Sequence, residues 1–169
     1  MLRMKTRKVA LLSAALAAMF LLAACGKSDA GTNAAPASAP ATDGPRTIAI
    51  TADDTMKFSV TEIHAKPGET FRVSLKNAGR VPKQAMAHNW VLLKSMADSD
   101  VNALAMAAAT KAPEFMPADL SAVLAHTKVL GPGESDTIEV TAPSAPGEYP
   151  FLCTFPGHFA MMKGKLIVQ

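Results

Sequence analysis

The sequence predicts an all-β fold: an antiparallel sandwich or barrel of about eight short strands with one inserted helix. Three observations carry this. Short runs rich in β-branched and aromatic residues recur from residue 46 onward, and several alternate with period two, as Phe71, Val73 and Leu75 do against Arg72, Ser74 and Lys76. Turn residues punctuate the runs at Lys66-Pro67-Gly68, Gly131-Pro132-Gly133 and Pro146-Gly147. One stretch alone, residues 98–111 (DSDVNALAMAAATK), is built of strong helix formers.

The chain has 169 residues, of which 49% are apolar. That suits one folded domain with some chain to spare and excludes a disordered protein. Lys and Arg number 17 against 14 Asp and Glu, but Arg3, Lys5, Arg7 and Lys8 account for the excess. Without residues 1–24, 13 bases face 14 acids, so no basic face for nucleic acid is indicated.

The basic start leads into an apolar run from Val9 to Leu22 with Ser13 as its only polar member. The run is shorter than the roughly 20 residues of a spanning helix and has the shape of a secretory signal. It ends in Leu22-Ala23-Ala24-Cys25, which resembles the lipobox of bacterial lipoproteins. The resemblance implies cleavage after residue 24 and acylation of Cys25, enough for stable membrane anchoring. Gly26 stands where Asp is the usual inner-membrane retention signal, which by the same resemblance favours the bacterial outer membrane. Residues 26–45 (GKSDAGTNAAPASAPATDGP) have no apolar periodicity and read as a tether about 25 Å in typical span. The expected organisation is thus a signal peptide over 1–24, a lipidated Cys and linker over 25–45, and a domain over 46–169.

Within the domain, strands are expected over 47–51, 58–65, 70–77, 88–94, 123–130, 136–141, 149–155 and 163–168. The helix over 98–111 starts with capping residues and is stopped by Pro113. An irregular Pro-containing segment then runs to Ser121.

Chemistry concentrates in Cys153-Thr154-Phe155-Pro156-Gly157-His158-Phe159-Ala160-Met161-Met162. A strand ends in a cysteine, a Pro-Gly turn returns a histidine, and methionine follows. Thiolate, imidazole and thioether are the soft and borderline donors that copper prefers. A blue-copper site needs a second imidazole from elsewhere, and His88, in Met86-Ala87-His88-Asn89-Trp90, is the best candidate. His126 reads as a surface residue on an alternating strand, and His64 has no ligand-like context. Trp90 reads as core.

These motifs carry a resemblance. The C-x4-H-x3-M spacing of Cys153, His158 and Met162, the upstream HNW at 88–90, AHTK at 125–128 and MKGKL at 162–166 resemble the azurins of the blue-copper cupredoxin family, here in a lipid-modified form. The resemblance implies a Greek-key cupredoxin sandwich holding one type 1 copper. It implies His88, Cys153 and His158 as strong ligands, Met162 as weak axial ligand in preference to Met161, and a weak contact from the Ala87 carbonyl. Asn89 would pin the two ligand loops together, and the Phe155 amide would donate to the Cys153 sulfur. Met56, Val81, Ala85, Met86, Ala160 and Met161 would form the apolar docking patch around His158. The implied activity is single-electron transfer, not enzymatic catalysis, with c-type cytochromes, nitrite reductase or peroxidase as the partner classes; a copper-binding or delivery lipoprotein is the alternative. Three features depart from the family pattern. No cysteine is available for the usual early disulfide, Ala78 falls where many azurins carry a titrating histidine, and Leu152 replaces an aromatic before the cysteine.

Overall fold

The computed structural model describes residues 44–169. The expected signal peptide, Cys25 and residues 26–43 of the linker lie outside the described residues.

Among the described residues, eight strands form two sheets. The smaller holds β1 (Thr47–Ala52), β3 (Thr70–Asn77) and β6 (Ser135–Thr141) in the order β1-β3-β6. The larger holds β2 (Glu62–Ala65), β4 (Val91–Leu93), β5 (Val123–His126), β7 (Gly147–Leu152) and β8 (Lys163–Val168) in the order β2-β8-β7-β4-β5. The architecture is the expected sandwich, but the pairing is not wholly antiparallel. β1 pairs with β3, and β2 with β8, in parallel. The reason is topological: β2 leaves the first sheet for the second, so the chain returns to β1's side running the same way.

Period-two patterning fills the space between the sheets. Phe71, Val73 and Leu75 of β3 point inward with Ile50, Val140, Phe151, Leu166 and Trp90, all almost fully buried. Trp90 stacks obliquely on Phe151 at 5.2 Å. β4 shows no alternation because both of its faces are covered. Its outer face, Val91 and Leu93 with Leu152, packs under helix α2 (Asp98–Ala109), which contributes Val101 and Ala105. The helix lies where the sequence placed it, but the residue before its first turn is Ala97, which makes no side-chain cap. Asp98 and Asp100 lie inside the first turn and favour it by charge against the helix dipole.

Register defines two ends. β1 and β3 run together from Thr47↔Arg72 to Ala52↔Asn77, and β7 runs from Gly147 to Leu152, one residue short of Cys153. His88, Cys153 and His158 therefore gather beyond Asn77 and Leu152, and Arg46 lies at the other end. The expected strands over 88–94, 123–130 and 149–155 are cut short at that end. His88 keeps one isolated bridge to Leu130, and residues 153–155 leave the sheet altogether. Strand 58–65 likewise shrinks to its last four residues, since residues 58–61 cross between the sheets. A four-residue turn of helix, α1 (Lys83–Met86), was not legible as a periodic pattern; the amides of Ala85 and Met86 both donate to the Pro82 carbonyl.

Candidate metal centre

Two segments deliver the site. α1 ends at Ala87 and hands the chain to His88, whose backbone exchanges two hydrogen bonds with Leu130, at 3.0 and 2.7 Å. β7 ends and releases Cys153, whose amide donates to the Met162 carbonyl at 3.0 Å. The loop between folds back on itself, with the His158 amide donating to the Phe155 carbonyl at 3.0 Å and the Met162 amide to the His158 carbonyl at 2.8 Å. Gly157 sits at φ +81°, in the left-handed region that glycine enters without strain.

His88, Cys153 and His158 are thereby brought together, all buried, with their potential ligand atoms within 4.8 Å of one another. Sγ of Cys153 stands 3.6 Å from Nδ1 of His158, and the two imidazole rings are 5.1 Å apart. Neither ring nitrogen of His88 has a hydrogen-bond partner although the residue is fully buried. A buried imidazole without a partner is costly unless something else takes up its lone pair. Burial holds the His88 pKa below its ordinary value. It also pushes His158 down to about 4, with His88 adding to the effect. Both imidazoles are therefore neutral at pH 7, the form that binds metal. Burial pushes the Cys153 thiol up to about 11, while the amides of Asn89 and Phe155 pull the other way. Those donors favour charge on the sulfur once a cation replaces the thiol proton. One thiolate and two imidazoles are a donor set that suits copper, so the residues present fit the metal that the sequence implies.

The chain matches the family model described as copper binding proteins, plastocyanin/azurin family, over residues 46–169. It belongs to that family. An azurin of Pseudomonas chlororaphis is 40% identical over 125 residues, covering 72% of this chain and 97% of the relative. An azurin of Bordetella pertussis is 42% identical over 132 residues, covering 76% and 87%. Among solved structures, auracyanin A of Chloroflexus aurantiacus, described as a "blue" copper protein, aligns with TM-score 0.68 and 33% identity over 75% of this chain and 100% of its own. His88, Cys153 and His158 form the candidate type 1 copper site of this family member.

The structure also places the other residues singled out in the sequence. Asn89 links the two ligand segments: its Nδ2 donates to Thr154 Oγ1 at 2.7 Å and its Oδ1 accepts from the Thr154 amide at 2.9 Å. Met162 is fully buried, whereas Met161 is 58% exposed. Ala87 is buried with φ −82° and ψ 157°, a conformation alanine adopts freely, so glycine is not required there. Leu152 packs beneath α2. His64 and His126 are exposed and stand apart from the cluster. Cys153 is the free cysteine of the described residues. Of the docking-patch residues, Ala85, Ala160 and Met161 are exposed and Met56, Val81 and Met86 half-buried.

One expectation is corrected. Ala78 does not lie behind the first ligand segment; it is exposed, and its amide donates to the Ala52 carbonyl. The buried position is taken by Asn77, whose Nδ2 donates to the carbonyls of Leu130 at 3.0 Å and Met86 at 3.4 Å. Its Oδ1 accepts from the Gly79 amide at 2.8 Å. Asn77 braces the segment that carries His88, and it cannot titrate. Thr154 and Thr127 were also missed as site-builders. The Thr127 hydroxyl accepts from the Trp90 amide at 2.9 Å, which is why β5 ends at His126. A hydroxyl inside a β-rich run gives no periodic signal of such a role.

Proposed function

We propose that this chain is a blue-copper carrier of single electrons between redox proteins of the periplasm, held by lipid on Cys25 at the outer membrane. The family and the His-Cys-His cluster support the carrier reading; the lipobox-like sequence and Gly26 support the anchor. Copper bound at the site supplies a one-electron Cu(I)/Cu(II) couple. The observation that carries the reading is the burial of all three donors on loops latched to each other through Asn89 and Thr154. Such donors hold one arrangement in both oxidation states and exclude water. Their enclosure also leaves no opening for a substrate, which supports electron transfer over catalysis, and it argues against the exposed, labile site that copper delivery requires.

In this reading Met162 would supply the weaker fourth donor, because it is buried beside Cys153 and His158 while Met161 faces solvent. The Ala87 carbonyl would add a further weak contact. Electrons pass at the His158 edge, and Met56, Val81, Ala85, Met86, Ala160 and Met161 supply a neutral docking surface of the kind that suits brief redox encounters. The partner is a c-type cytochrome, a nitrite reductase or a peroxidase.

Visible absorption and EPR of the copper-loaded protein test the centre. An intense thiolate-to-copper band is expected, absent in Cys153→Ser; a colourless wild-type complex sinks the carrier reading. Met162→Leu should keep the colour and raise the reduction potential, and Met161→Leu should change it far less. Cell fractionation with a lipid label tests the anchor: an unlabelled, wholly soluble wild-type protein removes it and leaves the copper site standing.

A further inference from the structure

Phe115 lies in the irregular segment between α2 and β5, outside both ligand loops, and has φ +48°. A bulky aromatic residue in the left-handed region is an outlier that its surroundings must hold in place. Two contacts do so, and both reach the metal-binding loop. The Thr154 hydroxyl donates to the Phe115 carbonyl at 2.5 Å. That hydroxyl is the same one that accepts from Asn89, so one oxygen joins three segments. The Phe115 ring meets the Phe155 ring edge-on at 4.9 Å, and the Phe155 ring in turn lies 4.8 Å from the His158 ring. The Phe115 amide is anchored behind, donating to the Lys111 carbonyl at 2.8 Å.

We propose that Phe115 is a positioning residue of the metal centre: from a third segment it clamps Thr154 through its carbonyl and Phe155 through its ring, and so fixes Cys153 and His158. This rests on the copper reading for its redox consequence, but not for its mechanical one. Asn89 alone ties the loops at one point. Phe115 adds a second, through Thr154 and through Phe155, whose amide also donates to the sulfur. The left-handed backbone lets a single residue present its carbonyl to Thr154 and its ring to Phe155.

The test uses the full chain and the variants Phe115→Gly, Phe115→Leu and Phe115→Tyr. Glycine keeps the backbone conformation and carbonyl but loses the ring; tyrosine restores the ring. In copper-free wild type and variants, amide hydrogen exchange is measured at residues 153–158, with β3 as internal reference. Phe115→Gly should speed exchange at the Thr154, Phe155 and His158 amides about tenfold while β3 is unchanged. After copper loading its reduction potential and EPR copper hyperfine splitting should shift, and Phe115→Tyr should restore both. Should glycine prevent folding, Phe115→Leu carries the same comparison. Unchanged exchange in the loop, or a uniform rise across β3 and the loop alike, overturns the clamp. Faster loop exchange with an unaltered potential and EPR spectrum overturns its role at the metal centre. A wild type without the blue band sinks the carrier reading, while the exchange data still decide the clamp.

Discussion

The two ends of the sandwich are held by different physics. At the metal end, Asn77, Asn89, Thr127 and Thr154 are fully buried or nearly so, and their side chains bond to backbone groups or to each other. At the entry end, Arg46 is about half exposed; its Nε pairs with Glu69 at 2.5 Å, its guanidinium lies 5.3 Å from the Phe71 ring centroid, and it donates to the His64 carbonyl. A buried polar side chain tolerates one geometry, because any other leaves a group unsatisfied. A solvated ion pair tolerates many, because water replaces whichever partner leaves. Precision is therefore concentrated where His88 and Cys153 must meet, and the end at Arg46 is secured loosely.

Three perturbations bear on this contrast, in falling order of effect. The largest is pH acting on the copper-free protein. The folded pKa of His158, about 4, lies below the ordinary value of 6.5, so the unfolded chain takes up the proton first. Stability should be intact above pH 6.5 and fall as the pH drops toward 4, by about 3 kcal/mol from this group. Cys153 sets the opposite limit: its thiol ionises near 9 when unfolded but only at about 11 when folded, so stability should fall again as pH rises above 9. Urea unfolding at pH 4.5, 7 and 10 measures both slopes, and a flat profile from 7 to 4.5 would contradict the burial of a neutral His158.

Next comes Asn89→Ala, which strips a donor and an acceptor from Thr154 inside the core. A loss of about 2 kcal/mol is expected in copper-free protein, together with a changed thiolate-to-copper band after loading. The smallest effect belongs to Arg46→Ala at the other end. At most about 1 kcal/mol should be lost, less in high salt, with the absorption spectrum and reduction potential unaltered. If Arg46→Ala costs as much as Asn89→Ala in the same denaturation experiment, the contrast between the two ends is wrong.

Much of this was legible along the chain. Alternation in β3 announced a half-buried strand, and the strong helix formers of residues 98–111 announced α2. The C-x4-H-x3-M spacing marked the metal loop because its donors lie close in sequence. The early ends of β4, β5 and β7 were not legible. Apolar character continues past them, and the ladder gives way where backbone amides turn to side chains instead: that of Trp90 to the Thr127 hydroxyl and that of Thr154 to Asn89 Oδ1. The misplacement of Ala78 was avoidable: the period-two alternation of Phe71, Val73 and Leu75 continues to Asn77 and leaves Ala78 outside the inward set. Register turned Asn77 inward and Ala78 out.

By itself the sequence pointed to the type of fold, the chemical kind of the centre and the three residues of its candidate donor cluster. The fold and the Cys153–His158 pair depend on residue type and short-range spacing, and His88 on the resemblance of its HNW motif. Tertiary structure alone decided how firmly those donors are held. Phe115 lies 39 residues from Thr154 along the chain and Asn89 lies 65, yet they meet at one hydroxyl. A contact between residues so far apart leaves no periodic mark in either segment. It exists only once two sheets have packed and brought three loops to the same end.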